Sequence, residues 1–146
     1  MSQSVPVSPA ALCPSCQQVG KAVNPQTVKA MLSVSLEAVS AGPYLFCATR
    51  DCPVVFFGAD SQQVFTQAQV RERVYQKFPD ADDTLVCYCF RHTVGEIKTQ
   101  VAATGRSAVL EAIRSGTQAG KCACDIRNPQ GSCCLGNVQA LVKCSA

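Results

Sequence analysis

Val28, Met31, Leu32, Leu36 and Val39 recur at the three-to-four-residue spacing of an amphipathic helix, and Asn24-Pro25 ahead of them supplies an N-cap followed by proline at the first helical position. The pattern predicts one helix from Pro25 up to the breaker Ala41-Gly42-Pro43. Tyr44-Leu45-Phe46 and Val54-Val55-Phe56-Phe57 are short aromatic and β-branched runs, which predicts a two-strand hairpin. Val64-Phe65 and Val70 to Val74 predict further strands.

Beyond residue 80 the pattern turns helical. Thr93-Val94-Gly95-Glu96 is a capping box, and Val94, Ile97 and Val101 follow at helical spacing until Gly105. Ser107 caps a second helix carrying Val109, Leu110 and Ile113 and ending at Gly116, and Asn137 to Val142 form a third, short one. Between the two halves, Phe78-Pro79-Asp80-Ala81-Asp82-Asp83-Thr84 has the composition of a solvated turn. An α+β protein is therefore expected: a small α/β-hairpin domain over residues 1–79, then a small helical domain over residues 80–146.

Composition narrows the chemistry. With 47% hydrophobic and only 16% charged residues in 146, and a net charge of +3, the chain is neither disordered nor a nucleic-acid-coating protein. No apolar run reaches the roughly 18 residues of a membrane helix, and the first ten residues lack the charged-then-apolar order of a secretory leader. A cytoplasmic protein without membrane insertion is expected. No P-loop, dinucleotide fingerprint or hydrolase triad occurs, and the chain has a single histidine.

The residue type in excess is cysteine, at 11. In a reducing compartment clustered cysteines are metal ligands more often than disulfides, and an odd total argues against complete pairing. Cys13-Pro14-Ser15-Cys16 and Cys47-Ala48-Thr49-Arg50-Asp51-Cys52 form a C-x2-C and a C-x4-C pair. Two tight turns presenting two thiolates each build a tetrahedral Zn2+ site with no open position, hence a structural one. Iron in a rubredoxin-like site, or four incidental cysteines, are the alternatives.

The other seven cysteines fall between Cys87 and Cys144. Cys87-Tyr88-Cys89 is too tight for an ordinary zinc knuckle, while Cys122, Cys124, Cys133 and Cys134 lie downstream. A C-x-C turn facing a second loop suits a [2Fe–2S] cluster, with helix N-termini favouring its negative charge. By spacing alone, Cys122 or Cys124 could pair with Cys133 or Cys134, and the same ligands could hold Zn2+.

Val86-Cys87-Tyr88-Cys89, the helix after it and the final cysteine loop resemble the bacterioferritin-associated-ferredoxin type of [2Fe–2S] domain. With Cys13-Pro14-Ser15-Cys16, Tyr44-Leu45-Phe46-Cys47 and Cys52-Pro53-Val54-Val55-Phe56-Phe57 included, the chain from Cys13 to about Val142 resembles the N-terminal part of the CopZ family, which joins a zinc-binding domain to such a cluster domain. The resemblance implies zinc on Cys13, Cys16, Cys47 and Cys52. For the cluster, the family's loop of one cysteine, three residues, Asn-Pro and two adjacent cysteines falls in register on Cys124. Adjacent thiolates on one iron are hindered, and Cys134 is the nearer of its pair to the following helix, so the expected set is Cys87, Cys89, Cys124 and Cys134, with Cys122 and Cys133 as substitutes.

It further implies one-electron transfer in copper trafficking: reduction of Cu(II) to Cu(I) in support of a copper chaperone and a copper-exporting ATPase, with electrons from an unknown donor. Family members commonly carry a Met-x-Cys-x-x-Cys chaperone loop, which the residues through Ala146 do not contain: either the chain is a fragment or free-standing form that works with a separate chaperone, or the copper link is lost. A docking or regulatory module for another metal-handling partner, or a structural two-zinc interaction protein, are the other classes. Near the cluster, His92 could bond to it or replace a thiolate, Arg91 and Lys121 could raise its potential, and Tyr88 could shield it from water. Cys144 matches neither motif.

Overall fold

The computed structural model of the chain describes residues 12–59 and 61–145. The ten residues from which the lack of a secretory leader is read lie outside the described residues. Four short strands, β1 (Lys21–Val23), β2 (Tyr44–Phe46), β3 (Val54–Gly58) and β4 (Val64–Thr66), form one antiparallel sheet in the order β1-β2-β3-β4. Helix α1 (Pro25–Met31) opens as expected: the Asn24 side chain accepts from the Gln26 amide, with Pro25 at the first position.

Both central strands are buried throughout, because the sheet has a core on each face. Tyr44, Phe46, Val55 and Phe56 pack with Val28, Met31 and Leu32 on one side. Leu45, Val54 and Phe57 turn to the other, where they meet Cys13, Cys47 and Cys52. Along β3 two successive residues, Val55 and Phe56, share a face, and the register against β4 slips between Val54 and Phe56, as a β-bulge requires. The cysteine loops thus close one face of the sheet in place of a second helix.

The predicted helix does not run on to Val39. It ends at Met31, with Leu32 extended, because the Arg71 amide bonds to the Met31 carbonyl at 2.7 Å and the Ser33 amide to the Gln69 carbonyl at 2.8 Å. Leu32 forms a single bridge with Val70, and only the 3-10 turn Leu36–Ala38 follows. The strand expected from Val70 to Val74 reduces to that bridge. Tertiary pairing here overrides apolar periodicity.

In the second half, β5 (Leu85–Cys87) and β6 (His92–Thr93) form a two-strand ribbon that leads into α2 (Val94–Thr104). The Thr93 side chain accepts from the Glu96 amide, and Gly105 closes α2 in the left-handed conformation at φ 78°, as the sequence predicts. Helix α3 (Ala108–Gln118), capped by Ser107, passes through Gly116, where the Phe90 ring occupies the space a side chain would need. A four-residue α4 (Cys124–Arg127) and α5 (Leu135–Ser145) complete the chain. Val86, Val94, Ile97, Val101, Val109, Ile113 and Val138 build the core of this half, and Cys87, Cys124 and Cys134 belong to it.

The two halves touch along a defined seam. Helix α4 packs against α1, Lys21 Nζ donates to Ser132 Oγ at 2.7 Å, and Gln76 bonds to Gln130. Tyr88, 2% exposed, donates its hydroxyl to the Arg73 carbonyl at 2.6 Å and accepts from the Tyr75 amide at 2.9 Å. Among the described residues no helix is long and apolar enough to cross a membrane.

Candidate metal centres

The turn after Leu12 is held by the Cys13 amide donating to the Gln18 carbonyl and the Gln17 amide to the Cys13 carbonyl, each at 2.8 Å. Gln17 takes a left-handed φ of 64° to complete it. Cys47 and Cys52 flank the turn between β2 and β3, and the Cys47 amide extends the ladder to the Val55 carbonyl at 2.8 Å. The sheet therefore presents one pair and the N-terminal turn the other.

The four sulfurs of Cys13, Cys16, Cys47 and Cys52 lie within 4.8 Å of one another. Cys13 Sγ is 3.7 Å from Cys52 Sγ, and Cys16 Sγ is 3.6 Å from Cys47 Sγ. Four soft donors at that separation suit a single tetrahedral thiolate-bound ion. Cys13, Cys47 and Cys52 are buried and Cys16 is half-buried. Burial pushes the Cys13 thiol up to about 12. Burial also opposes ionisation of Cys16, but the Thr49 hydroxyl, at 3.2 Å, the Gln18 amide and the neighbouring thiols outweigh it and bring Cys16 down to about 6.

In the second half, residues far apart in sequence converge. Cys89 Sγ lies 3.5 Å from Cys124 Sγ, and the Ala123 amide donates to Cys89 Sγ at 3.1 Å. Hydrogen bonding from Cys134 holds Cys124 at about 5 and Cys87 at about 6, with further donation to Cys124 from the Cys134 amide and to Cys87 from the Phe90 amide. Cys134, hydrogen-bonded to Cys124 and Cys87, has its own ionisation pushed up, and burial takes Cys89 up to about 12. Three backbone amides thus point at sulfurs, the environment an anionic thiolate centre needs. Side-chain hydrogen bonds link Cys87, Cys134, Cys124 and Cys89 into one chain of thiols.

Of the neighbours expected to act on this group, His92 contributes to the lowered ionisation of Cys87, while its ring and Arg91 are each engaged by a carboxylate. His92 Nδ1 is 3.1 Å from both Glu96 carboxylate oxygens, and Arg91 pairs with Glu72 at 2.5 Å across the seam. Lys121 is exposed. Cys122 is half-buried and Cys133 exposed, although Cys133 bonds to Cys124. Cys144 is exposed on α5. Lys77, by contrast, carried no sequence signal, yet its ammonium reaches Cys47 Sγ at 3.5 Å and the Thr49 carbonyl at 2.6 Å.

The chain is similar in sequence and fold to known proteins. Residues 10–71 fit the family model of the CopZ-type zinc binding domain. Over 129 residues the chain is 32% identical to the copper chaperone CopZ of Archaeoglobus fulgidus, an alignment covering 88% of this chain and 60% of that protein. The chain thus spans about three fifths of the length of that curated relative. The X-ray structure of the Archaeoglobus fulgidus CopZ N-terminal domain superposes with a TM-score of 0.72 at 32% identity, over 89% of this chain and 96% of that one. With its zinc-binding domain at residues 10–71 and a fold that covers nearly all of that solved structure, the chain belongs to the family of the CopZ N-terminal domain.

Proposed function

We propose that the chain is a two-centre metalloprotein of copper trafficking, with a structural zinc held by Cys13, Cys16, Cys47 and Cys52 and a [2Fe–2S] group held by Cys87, Cys89, Cys124 and Cys134. The observation that carries this reading is the difference between the two thiol groups. One has four sulfurs within 4.8 Å, matched to a single ion. The other lies in the second core and has amides aimed at its sulfurs, which fits an anionic group.

Cys13, Cys16, Cys47 and Cys52 would hold the zinc with no open position, which would fasten the Cys13 turn to the β2–β3 loop. When bound, the [2Fe–2S] group supplies one-electron redox chemistry, and copper is the substrate. The chain's own residues bury three of the four sulfurs and donate hydrogen bonds from Ala123, Phe90 and Cys134, stabilising negative charge there. Thr93 and Ser107 cap the helices that wall this core. Copper comes into the reading through the CopZ relative; a separate chaperone and a copper-exporting ATPase would receive the Cu(I), with the protein acting in the cytoplasm.

The test mixes chemically reduced protein with Cu(II) under anaerobic conditions and follows Cu(I) with a chromogenic chelator. One Cu(I) for each electron lost from the protein's visible spectrum supports the reading. A spectrum that stays reduced while no Cu(I) forms overturns the copper role.

A further inference from the structure

Lys77, 7% exposed, is the one charged residue buried among the described residues. The turn that carries it is fixed by its own amide donating to the Val74 carbonyl at 3.0 Å, and Val74 is fully buried in the first core. From there the side chain crosses to the β2–β3 loop. Its ammonium donates to the Thr49 carbonyl at 2.6 Å and to Cys47 Sγ at 3.5 Å, and among the described residues no carboxylate pairs with it. A buried ammonium without a counter-charge is costly, and one neutral carbonyl does not supply that charge. Four thiolates around one divalent cation carry two net negative charges, and Cys47 is the ligand that faces Lys77.

We infer that Lys77 is the counter-charge of the Cys13, Cys16, Cys47 and Cys52 centre, a positioning residue that stabilises the loaded thiolates through Cys47 and slows loss of the metal. The inference rests on the reading that zinc occupies this site. Mutation of such outer groups typically costs 10–100-fold in metal affinity. Thr49 joins the same arrangement from the other side, with its hydroxyl at Cys16 and its carbonyl at Lys77. Lys77 reaches the centre from a segment 25 residues beyond its last ligand, so neither cysteine motif contains it.

The test compares wild type with Lys77→Gln, which keeps an amide donor for the Thr49 carbonyl but loses the charge, and Lys77→Arg, which keeps the charge. Zinc release from the purified holoprotein to a chromogenic chelator is expected to be at least tenfold faster in Lys77→Gln and within about threefold of wild type in Lys77→Arg. In the cobalt-substituted proteins the thiolate-to-metal charge-transfer band is expected to move to longer wavelength in Lys77→Gln only, a signature that loss of packing would not give.

Release from Lys77→Gln at the wild-type rate, or from Lys77→Arg as fast as from Lys77→Gln, overturns the inference. Should the variants not fold, lysine acetylation of the wild type serves instead: Lys77 is expected to be protected with zinc bound and modified after chelation, with exposed Lys29 and Lys143 as controls. Equal Lys77 modification in both states overturns it. A wild-type protein without zinc overturns the zinc reading and this inference together, whereas unchanged release from a zinc-bearing Lys77→Gln protein overturns the inference alone.

Discussion

Tyr88→Phe measures how firmly the two halves are tied. The ring is buried and is retained, so the apolar contribution is unchanged and only the hydroxyl is lost. That hydroxyl accepts from the Tyr75 amide at 2.9 Å and donates to the Arg73 carbonyl at 2.6 Å, and burial pushes its ionisation well above the usual tyrosine range. An unsatisfied buried amide costs about 1–3 kcal/mol, and the carbonyl loses a bond of about 1 kcal/mol, so a total of about 2–4 kcal/mol is expected. For a chain of this size that corresponds to a fall in Tm of about 6–13 °C. Thermal denaturation of the metal-loaded protein by circular dichroism, with metal content measured in parallel, reads it directly. Zinc content is expected to stay at the wild-type level. A Tm within about 2 °C of wild type would refute the reasoning, since the Arg73 and Tyr75 backbone groups would then be satisfied without Tyr88.

Three further outcomes are expected. Gly116→Ala, which helix propensity alone would make stabilising by about 1 kcal/mol, is instead expected to lower Tm, because an added Cβ runs into the Phe90 ring; an unchanged or raised Tm contradicts the packing described. Cys134→Ser is expected to abolish visible absorption while Cys133→Ser leaves it, since Cys134 is buried among the thiols and Cys133 is exposed; the reverse pattern would reassign the ligand. Zinc binding to the metal-free protein is expected to release about one proton more at pH 5 than at pH 7.5, read by titration in weak buffer. Cys16, lowered to about 6, is already a thiolate above that pH and must lose a proton below it, so equal proton counts at both pH values contradict the lowered value.

Local spacing made the first centre readable. Cys13 with Cys16, and Cys47 with Cys52, are each neighbours within one turn, and the aromatic runs around the second pair announce the strands that hold it. The helices after Thr93 and Ser107 were equally legible, because each carries its own cap and apolar stripe. What sequence could not give depends on contacts between distant segments. The apolar stripe from Val28 to Val39 is broken when Arg71 and Gln69 take the backbone groups around Met31 and Ser33. The convergence of Lys77 with Cys47 joins residues 30 positions apart in sequence and no local pattern encodes it, while that of Cys89 with Cys124, 35 positions apart, is expected from the family resemblance, spacing alone leaving Cys122 and Cys124 both open. The α1–α4 contact is of the same kind: α4 has only four residues and carries no periodicity of its own.

The two-centre reading is tested most directly by metal analysis of the purified protein combined with electron paramagnetic resonance after reduction. One zinc and two iron per chain are expected, with the spectrum of a reduced [2Fe–2S] cluster. A colourless protein with two zinc, no iron and no signal would contradict it.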